Sequence, residues 1–196
     1  MKTVIIDYGA GNLFSVRMAL HRLGIQPVVS CDEREIRSAD RVIFPGVGQA
    51  SAAMERLKSH GLDRIIPALE RPVLGICLGM QLMCAFTEEE DTCGLGVFPL
   101  QVEKIRGTEK VPHMGWNRIS GLQSGLFEGL AESEWMYFVH SYCVPDNADA
   151  IARCDYHRPF AAALRRENFY GCQFHPEKSS RSGERILWNF IYGKLA

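Results

Sequence analysis

No stretch of this sequence is apolar for long enough to cross a membrane, and no run of basic residues marks a footprint for a phosphate backbone. With a net charge of −1, nucleic acid is not an expected partner. Cysteine occurs at seven scattered positions (Cys31, Cys77, Cys84, Cys93, Cys143, Cys154 and Cys172), never as Cys-x-x-Cys, and the histidines form no His-x-x-x-His. A disulfide framework, a zinc site or any other metal or cofactor is therefore not expected. Met1-Lys2 passes straight into Thr3-Val4-Ile5-Ile6, which Asp7 bounds, so the start reads as a strand and not as a secretory signal. Six of the cysteines read as structural thiols in a reducing compartment, and the expected location is cytoplasmic.

Internal repeats and linkers are also missing. So is the third glycine of a dinucleotide loop: Gly9-x-Gly11 follows a strand and precedes a helix, but Phe14 stands where that glycine belongs. A structural turn or a partner surface is the better reading there. What is present is an ordinary globular composition. With 46% apolar and 23% charged residues over 196 positions, the chain has enough core for one domain, 1–196, without staples.

Strand and helix signals alternate through the first half. Thr3–Ile6 is followed by a helix with Leu13, Val16, Leu20 and Leu23 on its inner face, stopped by Gly24. A strand over 26–30, a short helix over 33–38, a strand over 41–44, helices over 50–58 and 62–69, and a strand over 73–76 come next. This alternation predicts an α/β fold with a mainly parallel central sheet and helices on both faces. After about residue 95 the pattern changes to strands over 97–105, 115–119, 135–139, 150–154, 161–165 and 169–174, an antiparallel extension in the second half. A closing helix with Ile186, Leu187, Phe190 and Ile191 on one stripe seals the core.

The chain is organised around Gly75-Ile76-Cys77-Leu78-Gly79. The apolar run before Cys77 is a short buried strand, and Leu78, Leu82, Met83 and Phe86 after it fall at helical spacing. Cys77 then occupies a strand-to-helix turn of nucleophile-elbow type, with sulfur in place of oxygen. The free N–H groups and positive end of the following helix favour the thiolate. Gln81, one turn along on the same face, offers a substrate-binding amide. A base is supplied by His175-Pro176-Glu177. The proline pushes His175 toward an extended conformation, so Glu177 can lie beside it and hydrogen-bond one ring nitrogen while the other faces the thiol. His140 reads either as a second pocket residue or as a packed strand histidine.

With these parts in place the chain resembles the class I glutamine amidotransferases, whose glutaminase domains use a Cys-His-Glu triad. The segments Asp7-Tyr8-Gly9-Ala10-Gly11-Asn12, Pro45-Gly46-Val47-Gly48, Pro112-His113-Met114-Gly115-Trp116-Asn117 and Tyr137-Phe138-Val139-His140-Ser141-Tyr142 narrow the resemblance to the glutaminase subunits of imidazole glycerol phosphate synthases, in histidine biosynthesis. It spans essentially the whole chain. Departures are small: Ala10 takes a variable place, and Cys172 stands where an aliphatic residue is common.

The resemblance implies that Cys77 attacks the side-chain amide of L-glutamine to give a glutamyl thioester, with His175 as proton carrier and Glu177 orienting it. It also implies an oxyanion hole from the Leu78 N–H and the Val47–Gly48 loop, and glutamine held by Gly48, Gln81, Ser141, Tyr142 and Glu89. The default reading of the acidic run 88–91 is a solvated helix end. The implied partner is a (β/α)8-barrel cyclase subunit forming a heterodimer, which places Asn12, Met114, Trp116, Asn117 and Tyr137 at the interface or ammonia exit. Trp116 reads as an interface anchor or, in competition, as a core residue. Two other classes stay open: a free-standing cysteine hydrolase or peptidase on a similar fold, and a non-catalytic binding module.

Overall fold

A computed structural model describes residues 1–195. The first half runs β1 (Thr3–Ile6), α1 (Leu13–Arg22), β2 (Val28–Ser30), α2 (Glu33–Arg37), β3 (Arg41–Gly46), α3 (Ala50–Ser59), α4 (Leu62–Ile65), β4 (Val73–Cys77) and α5 (Leu78–Met83). Next come β5 (Cys84–Thr87), β6 (Thr92–Cys93), β7 (Phe98–Lys104), β8 (His113–Ser120), β9 (Glu134–His140), β10 (Tyr142–Cys143), β11 (Ala150–Tyr156), β12 (Arg158–Arg166), β13 (Phe169–Cys172) and α6 (Ser180–Tyr192). Helix starts are chemically marked: the Asn12 side chain accepts from the Ser15 N–H, and Asp32 accepts from the Arg34 and Glu35 N–H groups.

Nine strands form one sheet in the order β2-β1-β3-β4-β13-β12-β11-β8-β9. The first five are parallel and the remaining pairs antiparallel, which follows the change of pattern near residue 95 except at β13. Alternation along the parallel strands builds two apolar layers. Ile5, Ile43 and Leu74 pack with Val16 and Leu20 of α1 and Phe190 of α6. Val4, Val42 and Val73 pack on the other face with Ile36 of α2 and Met54 and Leu57 of α3. Every residue of β4 is buried, because it lies between parallel neighbours and under both layers.

Three details differ from the sequence expectation. The helix after Cys77 ends at Met83, and Phe86 belongs to β5, which pairs with β6 and β7. The strand over 97–105 does not extend the main sheet; it is the centre of a second, four-stranded sheet β10-β7-β5-β6. The 169–174 strand stops at Cys172 and runs parallel to β4, so it belongs to the parallel half. Among the described residues no helix is long and apolar enough to cross a membrane.

Candidate active site

Three parallel strands end side by side. Gly46 at the end of β3 pairs with Cys77 at the end of β4, and Cys172 at the end of β13 pairs with Ile76. The segments leaving these strands meet outside the carboxyl edge of the sheet, where open α/β sheets place their sites. The Val47–Gly48 turn, Cys77 and His175 line one cavity of about 360 Å3 there, which suits a small molecule better than a peptide.

Cys77 has φ +52° and ψ −109°, an unusual backbone for a residue with a side chain. The two flanking glycines make that turn possible by close approach. A Cβ on Gly79 would collide with the Phe44 carbonyl oxygen, and one on Gly75 with the Met80 backbone and the Met83 methyl. Cys77 Sγ lies 3.7 Å from the Val139 carbonyl, to which it donates, and 3.7 Å from Gln173 Nε2.

His175 is extended (φ −99°, ψ 96°), and Pro176 opens a single 3-10 turn over Pro176–Lys178. That turn brings Glu177 back onto its neighbour: His175 Nδ1 meets Glu177 Oε1 at 2.8 Å, with both side chains almost fully buried. The other ring nitrogen, Nε2, is buried without a hydrogen-bond partner and is the atom left to serve Cys77. Burial alone would lower the His175 pKa, but the adjoining Cys77 and Glu177 outweigh it and raise it to about 10. The segment is tied to β9 as well. The His175 N–H donates to the Tyr137 carbonyl at 2.9 Å, the Tyr137 N–H donates to Ser179 Oγ at 3.0 Å, and Ser179 Oγ donates to the His175 carbonyl at 2.7 Å.

The cavity also brings together Leu78, Gln81, Glu89, Ser141 and Tyr142. Gln81 commits both amide hydrogens inside the protein, to the Tyr142 carbonyl at 2.9 Å and to Gln173 Oε1 at 3.0 Å. The acidic run is anchored instead of being simply solvated. Glu88 accepts from the Lys104 N–H and pairs with Arg106, Glu89 accepts from the Ala50 N–H at 3.0 Å, and Glu90 takes the Ser51 hydroxyl. Burial pushes the Glu89 carboxyl up, the Ala50 bond lowers it, and Glu90 raises it.

Sequence reasoning missed Gln173, Val139 and Pro112. Gln173 had a signal: it stands two residues before His175, which in extended chain puts both on one side. Val139 and Pro112 had none before the register of β8 and β9 is known. Among the described residues no group of three or more His, Cys, Asp or Glu is arranged to hold a metal ion.

The five residues assigned to an interface fall into two places. Asn12 caps α1. The others lie on the β8–β9 pair, where Met114 opposes Val139 and Trp116 opposes Tyr137. Met114 and Trp116 are 63% and 50% exposed, so Trp116 is not a core residue, and it meets the Tyr137 ring edge-on. Asn117 spends its side chain inward, on His113, the Asp155 carbonyl and the Arg118 N–H.

Compared with known proteins, residues 4–193 match the family described as Glutamine amidotransferase class-I. The chain belongs to this family. It is 54% identical over 194 residues to the imidazole glycerol phosphate synthase subunit HisH of Bacteroides fragilis (strain YCH46), covering 97% of this chain and 99% of that one. It is 45% identical over 195 residues to the protein of the same name in Escherichia coli K12, again covering 97% and 99%. Among solved structures, a putative GMP synthase subunit from Thermoplasma acidophilum superposes with a TM-score of 0.76 at 22% identity, covering 97% of this chain and 92% of that one. A further structure, titled glutamine amidotransferase, gives 0.75 at 18% identity, covering 96% of each. At such identities the likeness concerns the fold, and it agrees with the class I glutamine amidotransferase architecture described above.

Proposed function

We propose that the chain, acting as one glutaminase domain over 1–196, hydrolyses L-glutamine to glutamate and ammonia and passes the ammonia to a synthase partner in histidine biosynthesis. The observation that carries the mechanism is the buried His175–Glu177 bond of 2.8 Å beside Cys77 on a cavity of amino-acid size.

In this reading the Cys77 thiol passes its proton to His175 Nε2, and the thiolate sulfur attacks the carboxamide carbon of glutamine. Electrons shift to the carbonyl oxygen, then return as the C–N bond breaks, and His175 Nε2 gives its proton to the leaving nitrogen, which departs as ammonia. Water then adds to the thioester with His175 as base, and Cys77 leaves with the C–S electrons. Glu177 holds the ring and stabilises its charged form, consistent with the raised His175 pKa. The Leu78 N–H and the Val47–Gly48 turn serve as oxyanion donors, a role supported by their place on either side of Cys77. Gly48, Gln81, Ser141, Tyr142 and Glu89 hold the substrate, the carboxylate of Glu89 being suited to the α-ammonium group.

The relatives are named as subunits of a synthase, which supports a partner. We assign that partner as a (β/α)8-barrel cyclase that makes imidazole glycerol phosphate and AICAR, in a cytoplasmic heterodimer whose reducing surroundings preserve the Cys77 thiol. Met114, Trp116, Tyr137 and Asn12 form the docking side, and Asn117, whose side chain turns inward, backs it from within the β8 strand. Support comes from the apolar stripe of β8 and β9, exposed at Met114 and Trp116, because Val139, opposite Met114, also belongs to the cavity wall. Glutamate release from glutamine, measured for the chain alone, with a cyclase partner and its nucleotide ligand, and for Cys77→Ser, tests the reading. Release that requires Cys77 and rises with the partner supports it, and no release under any condition overturns it.

A further inference from the structure

Cys77 is the end of a continuous run of hydrogen bonds that begins on β8. His113 and His140 oppose one another across β8 and β9, and their rings meet, Nδ1 to Nε2, at 2.9 Å. Behind His113, Nε2 lies 3.2 Å from Asn117 Nδ2. Ahead of His140, Nδ1 lies 2.8 Å from the Tyr142 carbonyl. The same carbonyl accepts from Gln81, Gln81 donates to Gln173, and Gln173 Nε2 reaches Cys77 Sγ.

The two ends fix the direction of the run. A carbonyl only accepts, so His140 Nδ1 carries the hydrogen; a neutral His140 then accepts at Nε2, and His113 must donate from Nδ1. His113 Nε2 is left as an acceptor, which is what Asn117 Nδ2 requires. Asn117 is itself held in that orientation, since its Oδ1 accepts from the Arg118 N–H at 2.7 Å and its Nδ2 also donates to the Asp155 carbonyl at 3.0 Å. Burial lowers the pKa of His113 to about 4 and that of His140 to about 3, so both rings stay neutral at physiological pH.

A packing role alone does not require these residues. The two rings sit among Phe138, Tyr156 and Phe160, where an apolar side chain would fill the space without needing partners. His140 has no ring nitrogen free for a substrate although it touches the cavity, so its hydrogen bonding acts on a substrate only through Tyr142.

We infer that His140, backed by His113, is a positioning residue for the glutamine pocket: it fixes the Tyr142 carbonyl, which takes one Gln81 N–H while Gln173 Oε1 takes the other, and this leaves Gln81 Oε1 as the atom available to the ligand. This rests on the glutaminase reading given above. Losing one such bond costs roughly a three- to tenfold change in the binding it organises.

The test is steady-state glutamine hydrolysis, with the cyclase partner present, by the wild type, His140→Phe and His140→Asn. His140→Phe fills the ring space without the donor and should raise KM for glutamine about three- to tenfold while kcat falls by less. His140→Asn places an N–H near the position of Nδ1 and should bring KM back to within about twofold of the wild type, a rescue that ring packing alone does not give. Equal KM in the wild type and His140→Phe, or the same raised KM in both variants, overturns the inference. If His140→Phe does not fold, His113→Leu removes the donor behind His140 and should raise KM in the same sense; an unchanged KM overturns the inference equally. A wild type that releases no glutamate overturns the glutaminase reading and this inference together, whereas an active wild type with unmoved variants overturns the inference alone.

Discussion

The carbonyl oxygen of Phe44 lies where a side chain on Gly79 would begin. The atom belongs to the backbone of β3, so it cannot swing aside as a flexible side chain would. Gly79→Ala must therefore push the elbow off the sheet. We expect a loss of stability of about 1–3 kcal/mol, as overpacking typically gives, together with at least a tenfold loss of glutaminase activity. Urea unfolding and steady-state rates check the two parts, and a fully active, equally stable Gly79→Ala would show that the elbow has room to spare.

Glu177→Gln keeps the shape of the side chain but removes the charge facing the His175 ring and places an amide where Oε2 is now buried without a partner. General acid–base catalysis contributes about a hundred- to ten-thousandfold, and most of that depends here on the orientation and charge of one ring. The turnover number should fall by at least about a hundredfold with KM little changed. A reduction of less than fivefold would mean that the ring is held well enough by its backbone ties alone.

Histidines shape the stability of this protein at both ends of the pH scale. The His175 pKa is raised from the ordinary 6.5 to about 10, so its contribution is complete below pH 6.5 and disappears as pH rises through about 10. The pKa values of His113 and His140 are lowered from 6.5 to about 4 and about 3, so theirs is complete above pH 6.5 and disappears as pH falls toward those values. Cys77→Ala removes one of the two neighbours that raise His175. It should flatten the alkaline limb of a urea-unfolding profile and leave the acid limb unchanged. An alkaline limb that does not respond would count against coupling between Cys77 and His175.

Trp116 is half-exposed, stands on β8 and touches Tyr137 edge-on. Trp116→Ala should therefore leave the unfolding free energy within about 0.5 kcal/mol of the wild type, as at other surface positions. Affinity for the cyclase partner should drop by about 30-fold or more, the loss expected of a central aromatic anchor. A collapse in stability with unaltered binding would contradict the docking assignment.

The parts of the fold governed by local pattern were legible in the sequence. The alternation of β1 to β4 with their helices, the elbow at Cys77 and the extended His175 before Pro176 follow from spacing and from the backbone limits of glycine and proline, whereas Glu177 reaches His175 through the 3-10 turn and not by the expected extended alternation. The parts governed by distant pairing were not. β5, β6 and β10 are two to four residues long, and they exist because β7 lies beside β5 and β10 while β6 adds on to β5. Helical spacing carried the reading on to Phe86, but the chain leaves the helix at Cys84 to join that second sheet. His113 and His140 are 27 residues apart, and only the register of β8 against β9 shows that they meet.

The ring of bonds among Tyr137, His175 and Ser179 has one more effect. β9 is the outermost strand of the nine-stranded sheet, and an open edge invites another chain to add a strand. At Tyr137 both outward-facing backbone groups are already taken, the carbonyl by the His175 N–H and the N–H by Ser179 Oγ. The segment that carries the catalytic base thus also serves as a plug against self-association. A lesion that frees it, such as loss of the Ser179 hydroxyl, would leave the protein stickier as well as slower.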